Sequence, residues 1–83
     1  MANVMVYGAD WCGMTKNTLA HLKAIGVDHD YIDIDHDPEA AKWVAEQNDG
    51  KEKKPTLKVG NEVLSTPSNR ELDSVLRAQG LLA

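Results

Sequence analysis

The sequence has a single cysteine among its 83 residues, so no internal disulfide can form. This fits a reducing compartment or a protein that needs no bridges. No apolar run approaches the length of a membrane span, and the N-terminus lacks the pattern of a signal peptide. We therefore expect a cytoplasmic protein. The net charge of −4 comes without an extended basic stripe, which gives no support for nucleic-acid binding.

Internal repeats, low-complexity stretches and linkers are absent as well. A chain of this length has room for one small domain only. Its apolar fraction of 42% is ordinary, so a modest core can form without disulfide staples. The sequence therefore predicts a single domain over residues 1–83.

The lone cysteine, Cys12, lies where an apolar run ends and helical spacing begins. Residues 4–7 predict a buried strand, and residues 13–25 predict a helix. The start of a helix has unpaired N–H groups and a positive partial charge, which lower a cysteine pKa from ~8.5 to between roughly 3.5 and 7.5. The thiolate is the nucleophile in disulfide exchange, so Cys12 predicts a thiol-based redox protein. The alternative is a small buried hydrophobe, the usual fate of a free cysteine.

Two charged neighbours are expected to act on the pKa of Cys12 in opposite directions. Asp10 is a nearby carboxylate, which disfavours the thiolate, whereas Lys16 favours it.

The first half of the chain predicts a strand, a helix, a second strand and a second helix. The first helix has its apolar positions close to a 3.6-residue period, at Met14, Leu19, Leu22 and Ile25. The second strand covers residues 31–34. Asp37 then serves as the N-cap of a helix with Pro38 at its first position, and this helix fades at residues 48–50.

The second half predicts a hairpin and a last helix. Residues 56–59 and 62–65 flank Gly60-Asn61, a pair that favours a tight antiparallel turn. The last helix, over about residues 68–78, has two candidate starts. One is Thr66 with Pro67 at the first helical position, and the other is Ser68 with Glu71 as a capping box.

This order predicts the architecture. The first strand–helix–strand unit implies parallel pairing, and the hairpin adds an antiparallel edge. The expected fold class is α/β, with a four-stranded mixed sheet and helices on both faces.

The element order and three sequence motifs resemble those of the thioredoxin fold. The motifs are Trp11-Cys12-Gly13-Met14-Thr15, Lys54-Pro55-Thr56 and Thr66-Pro67-Ser68. In length and detail the chain is similar to the glutaredoxins, above all the small bacterial group that includes mycoredoxins. The resemblance implies a β-α-β-α-β-β-α glutaredoxin fold and a thiol–disulfide oxidoreductase. It also implies glutathione or mycothiol as co-substrate, no tightly bound cofactor, and protein mixed disulfides as partners. We expect a monomer.

Thr15 stands where these relatives carry a second cysteine. A one-cysteine site cannot resolve its own mixed disulfide, so the resemblance implies a monothiol route. Cys12 would attack the small-thiol sulfur of a mixed disulfide, become thiolated, and be released by a second small thiol. Thr15, one helical turn along, is expected to donate a hydrogen bond to the thiolate. The alternative is a first-turn polar residue with no role.

The resemblance also implies a surface that binds the substrate and the small thiol, made of Trp11, Gly13, Met14, Lys54, Pro55, Thr66, Pro67 and Ser68. Pro55 matches the cis-proline of the family, which leaves the backbone of Lys54 free to pair with an extended ligand. The alternative is a trans proline that ends a polar loop. The Lys54 ammonium is a candidate partner for a glutathione carboxylate or is simply solvated, as is expected of Lys51 and Lys53.

The start of the last helix offers N–H groups suited to a carboxylate. Glutathione-using relatives usually carry two glycines and an acidic residue at this corner. Here residues 64–68 read Leu-Ser-Thr-Pro-Ser, which keeps mycothiol open as the small thiol. Of the two tryptophans, Trp11 is expected to be partly exposed beside the thiolate, and Trp43 to be structural.

Two other functions remain open. An iron–sulfur carrier would bridge a two-iron cluster between two subunits, although Cys-Gly-Met-Thr is only similar to the Cys-Gly-Phe-Ser of such relatives. A non-catalytic binding module would keep the peptide groove and lack efficient exchange. The loss of the second cysteine motivates this third reading.

No metal ligand set is predicted. Asp33, Asp35 and Asp37 alternate like a calcium loop, but proline and valine stand where glycine and glutamate are needed, so we interpret them as strand-end and cap residues. The three histidines, which we expect at the surface, lack metal-ligand spacing with the cysteine: His21, His29 and His36.

Overall fold

The computed structural model of the protein describes residues 2–83. Its elements are β1 (Val4–Gly8), α1 (Gly13–Ala24), β2 (Asp30–Asp33), a 3₁₀ turn (Ile34–His36), α2 (Pro38–Gln47), β3 (Thr56–Val59), β4 (Glu62–Ser65) and α3 (Asn69–Ala78). The predicted order is confirmed, with boundaries that differ by about a residue. Over this described range, every helix is too short or too polar to cross a membrane.

The four strands form one mixed sheet in the order β2-β1-β3-β4. β1 pairs with β2 in parallel and with β3 in antiparallel fashion, and β3 pairs with β4 in antiparallel fashion. The turn between β3 and β4 contains Gly60 at a φ of +59°, and Val59 lies opposite Glu62. The mixed sheet and the tight hairpin are therefore confirmed.

Helices cover both faces of the sheet, as predicted. Because side chains alternate along a strand, β1 points Val4 and Val6 to one face and Tyr7 to the other. The first face packs against α1 and α3 in a core that contains Val4, Val6, Leu22, Leu57, Val59, Leu72 and Leu76. The second face packs against α2, where the rings of Tyr7 and Trp43 lie 4.7 Å apart between centroids. The structural role predicted for Trp43 is confirmed.

The buried face of α1 differs from the one that apolar periodicity indicates. Met14 is 50% exposed, whereas Thr15 and Thr18 are buried with Leu22. The reason is a close approach of α1 to β1, since a side chain at Gly8 would collide with the side chain of Thr15. A threonine methyl fits this contact, and a hydropathy pattern does not detect it.

The helix caps decide between the two predicted starts of the last helix. Ser68 is the N-cap of α3, and its Oγ accepts the Glu71 N–H at 3.1 Å. Thr66 lies outside the helix at a φ of +45°, an unusual conformation for a β-branched residue. For α2, the predicted Asp37 cap is confirmed, because its side chain accepts the Ala40 N–H at 3.1 Å.

Two of the three histidines depart from the expected surface position, since His21 and His29 are only partly exposed. The side chain of His21 is only 17% exposed, and its Nε2 lies 2.7 Å from Oδ1 of Asp73. This contact joins α1 to α3. His36, by contrast, is exposed as expected.

Candidate active site

Cys12 is the N-cap of α1, as its position in the sequence predicts. Its backbone is extended, with φ −83° and ψ 119°, and its carbonyl accepts the Lys16 N–H at 3.0 Å. The side chain is partly exposed, and Sγ lies 3.8 Å from the carbonyl oxygen of Lys54. A fully buried small hydrophobe is therefore the wrong interpretation of this cysteine.

The surroundings of Cys12 lower the pKa of its thiol. The largest cause is a hydrogen bond from the Thr15 hydroxyl, followed by one from the Thr15 backbone N–H. Burial acts in the opposite direction, and the Met14 N–H and the charge of Lys54 lower the pKa further. Most of the stabilisation of the thiolate thus comes from donors in the first turn of α1.

Thr15 connects this turn to β1. It is fully buried, and its Oγ1 accepts the Ala9 N–H at 3.3 Å. Because that bond uses the oxygen as acceptor, the hydroxyl proton remains available for the Cys12 sulfur. The hydroxyl is therefore fixed on one side by the backbone that precedes the cysteine.

The charge that acts on Cys12 differs from the two that the sequence suggests. Neither Asp10 nor Lys16 is among the main causes of the lowered pKa. The Asp10 carboxylate instead accepts a hydrogen bond from the Tyr31 hydroxyl at 2.7 Å, and burial together with this carboxylate raises the pKa of Tyr31. The effective cation is Lys54, 42 residues away from Cys12 in the chain.

The segment that contains Lys54 and Pro55 is anchored on both sides. The Lys54–Pro55 peptide bond is cis, as the resemblance implies, and Pro55 is buried. The Pro55 carbonyl accepts the Thr66 N–H at 2.8 Å. Asn48, a buried residue of the preceding loop, donates to Oγ1 of Thr56 at 3.2 Å. These bonds hold the segment between α2 and β4.

Trp11 and Lys54 lie side by side next to Cys12. Trp11 is 67% exposed, which confirms the expected exposure, and its indole N–H donates to Oδ2 of Asp35 at 2.6 Å. The side chain of Lys54 is only 17% exposed, so the solvated alternative is wrong, whereas Lys51 and Lys53 are exposed. Nζ of Lys54 lies 3.9 Å from Oδ1 of Asp35 and 5.4 Å from the centroid of the Trp11 ring.

A groove of about 230 Å³ opens between the N-terminal ends of α1 and α3, lined by Met14, Asn17, Thr18, Pro67, Ser68 and Asn69. It brings together three of the predicted thiol-binding residues. Thr66 directly precedes Pro67 and donates its N–H to the Pro55 carbonyl, and Gly13 has open space around its Cα.

Comparison with known proteins identifies the family. Residues 4–64 match the sequence profile of the Glutaredoxin family. The chain belongs to the glutaredoxins. It is 41% identical to Mycoredoxin 1 of Corynebacterium glutamicum over an alignment of 58 residues. This alignment covers 70% of this chain and 71% of that relative. It is 32% identical over 76 residues to a chain of Mycobacterium tuberculosis assigned to the glutaredoxins, with 90% of each covered. The crystal structure of glutaredoxin from Archaeoglobus fulgidus superposes with a TM-score of 0.75 at 30% identity, covering 93% of this chain and 88% of that one.

Membership of the glutaredoxins gives the chain a thioredoxin-like fold and thiol–disulfide oxidoreductase chemistry in general terms. Of the predicted site residues, Trp11, Thr15, Lys54 and Pro55 lie around Cys12. Met14, Pro67 and Ser68 line the groove, Thr66 directly precedes Pro67, and Gly13 directly follows Cys12.

Sequence reasoning missed Asp35 as a neighbour of this glutaredoxin site. Asp33 and Asp37 are caps as interpreted, since Oδ1 of Asp33 accepts the Asp35 N–H at 2.8 Å. Hydrogen bonds from the backbone N–H groups of Asp10 and then Asp35 hold the pKa of Asp33 below its usual range. Asp35 itself turns its carboxylate toward Trp11. Because Asp35 alternates in the sequence with the cap residues Asp33 and Asp37, the sequence pattern gave no sign of its contact with Trp11. Within residues 2–83, no three His, Cys, Asp or Glu side chains are grouped so as to hold a metal ion.

Proposed function

We propose that the protein is a monothiol glutaredoxin that reduces mixed disulfides between a protein and a low-molecular-weight thiol, with glutathione or mycothiol as co-substrate. One observation carries the proposal. The only cysteine of the chain is partly exposed at the start of α1, with its pKa lowered chiefly by the Thr15 hydroxyl. We propose that the chain acts as a single domain and as a monomer.

The reaction takes two exchanges. The Cys12 thiolate attacks the small-thiol sulfur of the mixed disulfide, so a bond forms between Cys12 and the small thiol while the disulfide to the protein breaks. The protein thiolate leaves and takes a proton from water. A second small thiolate then attacks the sulfur of the bound small thiol, forms the small-molecule disulfide and releases the Cys12 thiolate. Per turnover, one mixed disulfide and one small thiol become one protein thiol and one small-molecule disulfide.

Thr15 contributes to both exchanges, because Cys12 is the attacking thiolate in the first and the leaving thiolate in the second. A hydrogen-bond donor that favours the charged form stabilises the leaving group. The same stabilisation lowers intrinsic nucleophilicity, so the gain lies in the fraction of Cys12 that is ionised at neutral pH.

We place the small thiol in the groove between α1 and α3. The groove lies beside Met14 and ends at the N-terminus of α3, where Ser68 and Asn69 begin the helix. Unpaired N–H groups at a helix start favour a carboxylate, and glutathione carries two. The cis-prolyl segment borders the groove through the bond between Thr66 and Pro55.

The test is steady-state reduction of a peptide mixed disulfide, run once with glutathione and once with mycothiol. We expect turnover with at least one thiol and none in Cys12→Ser, with circular dichroism of the variant unchanged. The preferred thiol then identifies the co-substrate.

Residual turnover in Cys12→Ser, or no turnover of the wild-type protein with either thiol, would contradict the proposal. In the second case, anaerobic cluster reconstitution in the presence of thiol distinguishes the two remaining functions. A coloured protein indicates an iron–sulfur carrier. A colourless one that binds peptide equally well with and without Cys12 indicates a binding module.

A further inference from the structure

Asp35 contacts Trp11 and Lys54, the two side chains that stand beside Cys12. Its Oδ2 accepts the Trp11 indole N–H at 2.6 Å, and its Oδ1 lies 3.9 Å from Nζ of Lys54. The Lys54 ammonium in turn lies 5.4 Å from the centroid of the Trp11 ring, within cation–π range. One carboxylate thus joins an aromatic ring and a cation into a single surface.

Asp35 is itself held in place. Its backbone N–H donates to Oδ1 of Asp33 at 2.8 Å, and Oδ2 of Asp33 accepts the N–H of Asp10 at 3.0 Å. Asp10 directly precedes Trp11. The end of β2 and the turn that carries Cys12 are therefore linked through three side chains, those of Tyr31, Asp33 and Asp35.

Because Trp11 is exposed, the orientation of its ring depends on the hydrogen bond to Asp35. A side chain that is 67% exposed has little packing to select one rotamer. A hydrogen bond to an ionised acceptor is roughly twice as strong as one between neutral groups, and it has directional preference. The Asp35 carboxylate is the contact that fixes the indole.

The sheet topology separates Asp35 and the Trp11 indole from the groove. Across the edge of the sheet that bears the site, the strand order is β2-β1-β3-β4. Asp35 follows β2, Cys12 follows β1, Lys54 precedes β3, and Thr66 follows β4. Asp35 and the Trp11 indole therefore lie toward the β2 side of Cys12, the groove at α3 lies toward β4, and Lys54 stands between the two. If the small thiol occupies the groove, the polypeptide half of the mixed disulfide meets Trp11.

We propose that Asp35 is a positioning residue, which fixes Trp11 and Lys54 as a preformed surface for the polypeptide half of a mixed disulfide. This inference rests on the proposed function. An aromatic face that is already ordered costs less conformational entropy when the peptide binds. Asp35 thereby acts on the affinity for the polypeptide and leaves the exchange steps at Cys12 unchanged.

The variants are Asp35→Ala, which removes both contacts, and Asp35→Asn, which keeps an acceptor for the indole and loses the charge. Trp11→Phe keeps a ring without the N–H. Asp28→Asn removes one exposed carboxylate elsewhere and serves as the control for net charge. Kinetics are run above the pKa of Cys12, so that a change in the thiolate fraction does not contribute.

We expect Asp35→Ala to raise KM for the peptide mixed disulfide about 3- to 10-fold, with kcat and KM for the small thiol within about 2-fold of wild type. Asp35→Asn should give an intermediate value, Trp11→Phe should resemble Asp35→Ala, and Asp28→Asn should match wild type. A purely structural role of Asp35 would lower the active fraction and so reduce kcat. An unchanged peptide KM, or an equal rise in both KM values, would overturn the proposal.

A substrate-free measurement separates this proposal from the proposed function. The chain has two tryptophans, so Trp11 is the only one in a Trp43→Phe background. In that background Asp35→Ala should lower the fluorescence anisotropy of Trp11 and increase its quenching by acrylamide. If the wild-type protein shows no turnover, the proposed function fails and the fluorescence alone decides the positioning role. Unchanged anisotropy and quenching would refute it.

Discussion

The hydroxyl of Thr15 is the largest cause of the lowered pKa of Cys12, and Thr15→Val tests that role directly. Valine keeps the shape of threonine and removes the hydroxyl. The side chain is fully buried against β1, so the substitution changes little in packing. A hydrogen bond to a charged group contributes about 1.5–3 kcal/mol. We therefore expect the pKa of Cys12 to rise in Thr15→Val, because the thiolate loses its largest stabilising contact.

The substitution also affects stability. The Ala9 N–H donates to Thr15 Oγ1 at 3.3 Å, and Ala9 is fully buried. Valine leaves that N–H without its acceptor, which costs about 1–3 kcal/mol. Thr15→Ser keeps both the acceptor and the donor. It should therefore retain the wild-type pKa while losing one methyl group of packing.

The assay is the rate of exchange between Cys12 and a small disulfide as a function of pH, checked by the ultraviolet absorbance of the thiolate. In Thr15→Val the midpoint should move to higher pH. The plateau should rise about 3-fold per pKa unit, because nucleophilicity increases with basicity with a Brønsted slope of about 0.4–0.5. Loss of folded protein would lower the plateau, so the two effects are distinguishable.

Thr18→Val is the matched control, since Thr18 is buried on the same face of α1 one turn further along. It should leave the midpoint unchanged. A folded Thr15→Val protein whose midpoint equals that of wild type would refute the role assigned to the hydroxyl.

Three further predictions follow from the same contacts. Lys54→Met should also raise the pKa of Cys12, by less than Thr15→Val because its charge is the smallest of the main causes, and high salt should reduce the difference between Lys54→Met and wild type. Because the folded-state pKa of Cys12 lies below the unfolded value of ~8.5, the unfolded chain binds more protons between the two values. The free energy of unfolding should therefore rise with pH through that window and level off above it, and urea titrations of Cys12→Ser should lack this rise. Finally, Thr66→Gly should raise the free energy of unfolding by about 0.5–1 kcal/mol. The substitution removes the ~1–2 kcal/mol cost of a left-handed backbone. Part of this gain is lost because glycine increases the entropy of the unfolded chain, which lowers stability by ~0.4–1 kcal/mol. Asp49→Gly is the control. Aspartate tolerates a φ of 55° better than threonine does, so this substitution should raise the free energy of unfolding by less. A Thr66→Gly protein no more stable than wild type would contradict the strain that we attribute to the left-handed backbone of Thr66.

The amino-acid sequence by itself determined the order of the elements and the position of the nucleophile. These depend on interactions between residues close together in the chain. Periodicity defined the strands, Asp37 with Pro38 defined the start of α2, and Cys12 falls at the end of one element and the start of the next. Thr15, one helical turn along, is also the residue that chiefly lowers the pKa of Cys12, so local spacing was sufficient to predict that influence.

Only the tertiary structure decided which face of α1 is buried and which charges surround the sulfur. Thr15, and not Met14, faces the sheet because β1 passes close to α1 at Gly8. Lys54 replaces Lys16 as the effective cation, and Asp35 joins the site, because the strand order places the ends of β2 and β1 beside the start of β3. Trp11 and Asp35 are 24 residues apart in the chain, and Cys12 and Lys54 are 42 apart. Contacts at such separations depend on how strands pair, and that pairing leaves no periodic signal at the residues it brings together.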